Sequence, residues 1–407
     1  MGQKTISLII SIFIAKGIFS QAGCTDPQAV NFDASAIEND GSCFYETTAY
    51  TLGLVSDLSS DLLSENSGLS LINESLWTIN DSGNNTTIYE LDSLGNIIRE
   101  VFVEGVINVD WEALTQNSTH LFIGDFGNNT GSRQDLSIIK INKSELLNNS
   151  TDTIFGQTLF FRYSDQFDFS GPTNGHNYDC EAFIASDDTL SLFSKNWQNQ
   201  EVRKYNIPCH WEGEYVATFS ESFDVGGLIT DAAFDSISDQ IVLLGYDNLG
   251  TGIYSSFIWM LWDYNSGNVF NGNKRRVEVG SMFTVGQTEG ICLSPHLIKG
   301  FISSEQISSV ITIPPKLFEF NLEQYVSNST VMYQEAQGQP VIQCYPNPFH
   351  SKVFIRNYKG KFHLHDSNGG RLVYQGDYQN QGVDLSVLSP GFYFLKVGHF
   401  IFKMVKN

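Results

Sequence analysis

The chain has 407 residues, of which 41 % are hydrophobic, 13 % aromatic and only 17 % charged, a globular composition well away from disorder. Its net charge of −22, with no basic stripe to offset it, repels phosphate backbones and argues against nucleic acid as a partner. The 35 Gly and 30 Phe, with abundant Ser, Thr and Asn, point to short strands joined by many turns.

The N-terminus reads as an export signal over residues 1–22. Lys4 precedes the apolar run Ile6 to Ala15, and Ser20-Gln21-Ala22 offers a small-x-small cleavage site. The run is too short to span a bilayer, and no later run is long enough, so no transmembrane segment is expected. A lipoprotein cysteine at Cys24 is the alternative, and Gln21 stands where that would want an apolar residue.

Residues 23–46 carry the segment CTDPQAVNFDASAIENDGSC. A Cys24–Cys43 bridge would staple a piece with almost no core. Asp26, Asn31, Asp33, Asn39 and Asp40 crowd inside it, an oxygen-rich set of the kind that holds Ca²⁺. The segment resembles small modules of bacterial surface proteins that are similar to thrombospondin type 3 calcium repeats. The alternative is a disulfide-closed spacer without metal. Cys180, Cys209, Cys292 and Cys344 are too far apart in sequence to be paired from spacing.

From 47 to 326 the chain repeats itself. Five segments align, beginning near Ser67, Asp110, Asp179, Thr230 and Thr288. Each has a polar opening, a short strand, a turn, an apolar strand, a polar loop and another strand. A fourth strand follows in most, such as REVFVEG and YVATFSESF. Recurring four-stranded units are the mark of a β-propeller, since each blade buries its faces against its neighbours. The stretch Thr47 to Leu58 precedes the first unit and is placed to complete the last blade. The expected fold is therefore all-β, a five- or six-bladed propeller.

A polar linker at 327–340 leads into residues 341–407, a run of short alternating strands with Gly turns that reads as a small β-sandwich. Tyr345-Pro346-Asn347-Pro348, LHDSNGGRLVY, VDLSVLSPGFYFLKV and the closing KMVKN look like the C-terminal sorting domain of type IX secretion. That resemblance implies the type IX machinery as a partner and a secreted or outer-surface location in a Gram-negative cell.

In a blade the first strand lines the channel and the second runs back, so the start of one and the end of the other share a mouth. Asp110, Glu112, Asp179, Glu181, Asp231 and Glu289 sit at starts of first strands. Asp81, Asp125, Lys195, Asp247 and Glu305 sit at ends of second strands. Asp81 and Asp125 each open the same phrase, Asp-x-Gly-Asn-Asn, with Gly83 and Gly127 allowing a tight turn. So many carboxylates around one channel need a cation, basic partners or protons. Calcium, which takes six to eight oxygen ligands, is the natural cofactor, and Lys195 and Arg133 are the available bases.

The metal ligands are accordingly sought among Asp81, Asp110, Glu112, Asp125, Asp179, Glu181, Asp231, Glu289 and Glu305. The catalytic candidates are Glu112, Glu181 and Lys195. For Asp81, Asp125 and Asp247 a strand-locking role is the alternative. Trp77, Trp197, Trp259 and Trp262 are expected to pack between blades, and His176 to overhang the mouth or simply to be solvated.

LWTINDSGN, VDWEAL, IGDFGNN, YDCEAF, LFSKNW, ITDAAF and QTEGI resemble a family of secreted bacterial propellers similar to SdiA-regulated and esterase-like phytase propellers, and more distantly to gluconolactonase-type lactonases. No serine-hydrolase elbow, phosphate loop, His-Glu-x-x-His or dinucleotide fingerprint is present. Two functions remain. One is a metal-dependent hydrolase of phosphoester or lactone type, with Ca²⁺ as Lewis acid and a carboxylate activating water on a small polar ligand. The other is a non-catalytic adhesion or ligand-binding propeller, with a surface glycan as one candidate ligand. A purely structural acidic ring is a third reading.

Overall fold

The structure, a computed structural model, describes residues 21–326 and 343–406, apart from 187, 210–213, 237, 249–252, 265–266, 295–297, 309–311, 347–348, 357, 367–370, 380 and 399. All but the last two residues of the expected export signal lie outside the described residues, as do the linker at 327–340 and positions 347–348 and 367–370 of the sorting motifs.

Five four-stranded antiparallel blades form a ring. Blade 1 takes Asn66–Ile72, Ser75–Asn80, Thr87–Leu91 and Ile97–Glu104. Blade 2 takes Trp111–Gln116, His120–Asp125, Ser137–Asn142 and Gln157–Tyr163, and blade 3 takes Asp179–Ala185, Thr189–Lys195, Glu201–Pro208 and Tyr215–Asp224. Blade 4 takes Leu228–Asp235, Gln240–Asn248, Tyr254–Trp262 and Asn273–Ser281. Blade 5 contributes Gln287–Leu293, Lys299–Glu305 and Lys316–Asn321, and its outermost strand is Gly53–Asp57, from before blade 1. That N-terminal strand supplies the closure expected from Thr47 to Leu58. The inner strand of blade 5 packs directly on that of blade 1, so five blades complete the ring.

Burial follows position in the blade. The inner strand Asp179–Ala185 is buried at every residue because neighbouring blades cover both faces. The outer strand Gln157–Tyr163 alternates, with Leu159, Phe161 and Tyr163 inward and the residues between them in solvent. Trp77 and Trp111 are fully buried in the core between blades 1 and 2. Three parallel pairings stitch the rim: Thr153–Phe155 lies along Phe102–Glu104 of blade 1, Phe161–Tyr163 to Tyr215–Ala217 joins blades 2 and 3, and Thr48–Ala49 lies along Val277–Glu278.

Residues 21–46 form a small unit on blade 4. The Cys24–Cys43 disulfide is present, with Ala29 and Tyr45 packed around it. Its oxygens serve local turns: Asp33 accepts from Ser35, Asp40 from the Ser42 N–H, and Asp26 from the Gln28 N–H and the Tyr45 hydroxyl. Asn39 donates across to the Asp263 carboxylate (3.0 Å) and Asn273 Oδ1 (3.0 Å). Gly41, at φ +75°, lies so close to the Asn271 carbonyl that any side chain would collide with it.

Residues 343–406 fold into two small sheets, Gln343–Tyr345, Lys352–Arg356 and Val383–Asp384 against Gly360–Asp366, Leu372–Tyr378, Gly391–Val397 and Phe400–Lys406. Phe349, Val353, Ile355, Leu364, Leu395 and Met404 fill the space between them. Among the described residues no helix is long and apolar enough to cross a membrane.

Candidate functional site: an acidic channel mouth

Each inner strand carries a β-bulge near its start, and the residues left without a partner are Gly68, Glu112, Glu181, Thr230 and Glu289. A bulge re-aims the side chain it inserts. Three of the five bulged residues are therefore glutamates at matching positions around one mouth. Two positions earlier stand Asn66, Asp110, Asp179, Leu228 and Gln287. On the second strands Asn80, Lys195, Tyr246 and Glu305 face four of these, as register partners of Asn66, Asp179, Leu228 and Gln287.

The carboxylate oxygens of Asp81, Asp110 and Glu112 all lie within 4.8 Å of one another. Gly127 makes this convergence feasible. A β-carbon there would collide with the carboxylates of both Glu112 and Asp110, so Gly127 is needed for close approach rather than for a left-handed turn. Gly83, at φ +74°, is the one that turns. Burial, with Glu181 and Asp81 nearby, pushes the Glu112 carboxyl well above the usual range. Burial and the neighbouring Asp81 and Asp179 raise Asp110 to about 7, with Arg133 pulling the other way. Asp81 is also shifted up, chiefly by burial.

Across the mouth the charge is compensated. Lys195 Nζ lies 3.1 Å from Glu181 Oε1, with both side chains buried, and sits 5.1 Å from the Trp197 ring centroid and 5.4 Å from that of Tyr246. Burial works against the ammonium, but Glu181, Tyr246 and Glu289 outweigh it and hold Lys195 well above its ordinary value. Glu289 accepts from Gln287 Nε2 (2.7 Å) and is raised by burial to about 7, with Lys195 opposing. Glu305 is raised to about 9 by burial and by the adjacent Glu289.

Three predicted ligands are committed elsewhere. Asp125 pairs with Arg133 Nη2 (3.0 Å) and accepts the Asp110 N–H (3.1 Å). Asp179 accepts the Asn128 N–H (2.6 Å) and the Trp197 indole N–H (2.8 Å), tying blade 3 to the blade 2 loop. Asp231 does not occupy the bulge. Its two oxygens accept the N–H groups of Ile291 (2.7 Å) and Ala232 (2.8 Å), locking blade 4 onto blade 5. Asp247 pairs with Arg276 (2.9 Å), and His176 is packed between the Tyr178 N–H and the Asn129 carbonyl.

The phrase shared by Asp81 and Asp125 is not a structural repeat. Asp125 stands opposite Trp111, the place held in blade 1 by Ile79, so Asp81 corresponds to Gly127. Tyr246 was missed in the sequence for the same reason. It, rather than Asp247, matches Lys195 and Glu305, and only the one-residue bulge in the inner strand of blade 4 reveals the offset.

Residues 343–406 match the secretion system C-terminal sorting domain family. This tail marks the chain for export by type IX secretion, to the cell surface or beyond it. No curated protein sequence is significantly similar to the chain. Among solved structures it is similar to a glucose dehydrogenase (8 % identity, 67 % of this chain and 99 % of that one, TM-score 0.38). It is also similar to a regucalcin described as a calcium-binding protein from Agrobacterium tumefaciens (10 %, 68 % and 95 %, 0.34). A chain of a mitotic checkpoint complex shares 14 % identity over 62 % of each chain, with a TM-score of 0.28. Likenesses this slight say nothing about the chemistry of this protein.

Proposed function

We propose that this exported propeller binds a divalent cation, Ca²⁺, at the mouth of its channel, with a small polar ligand beside it. One observation carries the reading: the convergence of Asp81, Asp110 and Glu112 within 4.8 Å, none of them in an ion pair with Lys195. The donor set is wholly oxygen, which suits a hard cation and not a soft one. Gly127 leaves the carboxylates room to approach each other. Asp81, Asp110 and Glu112 would hold the ion, which when bound polarises a ligand oxygen as a Lewis acid.

The chain's own groups would then orient the ligand. Tyr246 and the Lys195 ammonium, at matching positions on their second strands, would be its donors, and Glu305, raised to about 9 by burial, a third. A phosphoester or lactone hydrolase is the enzymatic form of this reading. The resemblance to phytase-like and lactonase-type propellers supports it without naming a substrate. A binding module is the second reading, favoured by one observation. Lys195 is locked by Glu181 and two aromatic rings and is poorly placed to exchange protons.

Calorimetric titration of Ca²⁺ into the full chain tests the proposal. Saturable heat that disappears in Glu112→Gln is the expected result, and no heat at millimolar Ca²⁺ would remove the reading. A screen of phosphoesters and lactones then separates enzyme from binder.

A further inference from the structure

Segments adjoining the acidic mouth carry apolar side chains in water. Leu62, Ile107 and Val109 are 42 %, 73 % and 42 % exposed. Their backbones are tied to the segments that carry the carboxylates. Asn80 donates to the Leu62 carbonyl (2.7 Å), and Asn108 donates to the carbonyls of Asn80 (3.1 Å) and Asp81 (2.9 Å). Asn108 also accepts the Trp111 N–H, and the Trp111 indole donates to the Ile107 carbonyl (3.2 Å). Val109 adjoins Asp110 in the chain. These five hydrogen bonds tie the backbone at Leu62 and Ile107 to the segments that carry Asp81 and Glu112.

The second observation concerns Glu112. It is 5 % exposed, its carboxyl meets no hydrogen-bond or ion-pair partner among the described residues, and it is turned toward Asp110 over Gly127. Lys195 is placed on Glu181. Among the described residues no ion pair reaches Asp81, Asp110 or Glu112, and Lys195 and Arg133 act on Asp81 and Asp110 only from a distance.

We infer that this cluster receives an organic ammonium carrying an apolar body. The cationic head would enter between Asp81, Asp110 and Glu112, and the body would lie on Leu62, Ile107 and Val109. Charge complementarity selects the head. The rim selects the body, because a bare hydrated ion gains nothing from exposed apolar surface whereas a hydrocarbon chain removes that surface from water. The inference shares its carboxylates with the calcium reading but does not depend on it, since the two cations compete for one place.

The test is calorimetry on the full chain in chelator, with butylammonium, hexylammonium and octylammonium as probes and 1-octanol as the neutral control. Affinity should rise about two- to fourfold for each methylene the rim covers. Octanol should bind at least tenfold more weakly than octylammonium. Ile107→Ser with Val109→Ser, at exposed positions that leave the core intact, should flatten the dependence on chain length. Glu112→Gln, or Asp110→Asn should that variant fail to fold, should weaken octylammonium at least tenfold. Affinity independent of chain length, octanol binding as well as the amine, or an unaltered slope in the double serine variant would each overturn the inference. Calcium is titrated separately. Calcium binding without ammonium binding overturns this inference and leaves the calcium reading standing. Ammonium binding without calcium binding does the reverse.

Discussion

Lys195 Nζ and Glu181 Oε1 lie 3.1 Å apart with only 6 % and 5 % of their side chains exposed. Among the described residues, Glu181 is the only one of Asp81, Asp110, Glu112, Glu181, Glu289 and Glu305 held in an ion pair, which sets it apart from the other five. Lys195→Met should cost about 3–5 kcal/mol at pH 8, because a buried carboxylate loses its partner. The loss should shrink at pH 5, where Glu181, already pushed up by burial, takes a proton instead. Urea unfolding at the two pH values checks it, and a loss below about 1 kcal/mol at pH 8 would contradict it.

The two glutamates of the motif should respond in opposite directions. Glu112→Gln removes a repelled charge and should raise the melting temperature of the calcium-free protein by about 2–4 °C. Glu181→Gln strands Lys195 and should lower it. Thermal scans in chelator decide this. Equal shifts for both variants would mean that Lys195 serves the whole mouth.

Stability of the calcium-free protein should fall as pH rises. Glu289 and Glu305 move from 4.5 to about 7 and about 9 on folding, each chiefly through burial, and Asp110 moves from 3.8 to about 7. Raised carboxyls make the folded state bind more protons than the unfolded one between roughly pH 4 and 9, so the stability they contribute is complete below that window and lost across it. Calcium, binding the ionised form, should raise the melting temperature most at high pH. A melting temperature that climbs from pH 6 to pH 9 in chelator would rule this out.

Asp231→Ala should unfold the ring more easily whether or not a cation is present. It leaves the N–H groups of Ile291 and Ala232 without their acceptor in a buried site, at about 1–3 kcal/mol each. Calcium affinity should be unchanged in the fraction that folds, as read by calorimetry. A variant that keeps its stability but loses calcium would return Asp231 to the ligand set.

Removing residues 343–406 should leave the cell holding folded propeller in the periplasm, because the matched sorting domain has its own core, built around Phe349, Val353 and Leu395. Cell fractionation with protease protection reads the outcome. Normal amounts of truncated protein in the medium would show that export does not use this tail.

The class of fold, the closure of the last blade and the sorting tail are all legible in the sequence. Strand alternation, turn residues and repeated segments are local signals, and Gly53–Asp57 was legible because it precedes the first repeat with no blade of its own. The sequence also brought Asp110, Glu112, Glu181 and Glu289 to one mouth, since antiparallel pairing fixes which strand ends meet.

Which of the acids are available depends on contacts between segments distant in the chain. Asp179 and Asp231 look like their neighbours in sequence, yet their partners are backbone or indole N–H groups contributed by other segments. Asp81 and Asp125 share a phrase but differ by two positions in register, and Asp125 answers to Arg133. The bulge explains both failures. One inserted residue in each inner strand shifts which side chain faces the channel, and insertion at Glu112 in one blade and Thr230 in another depends on how neighbouring blades pack, which no single strand encodes.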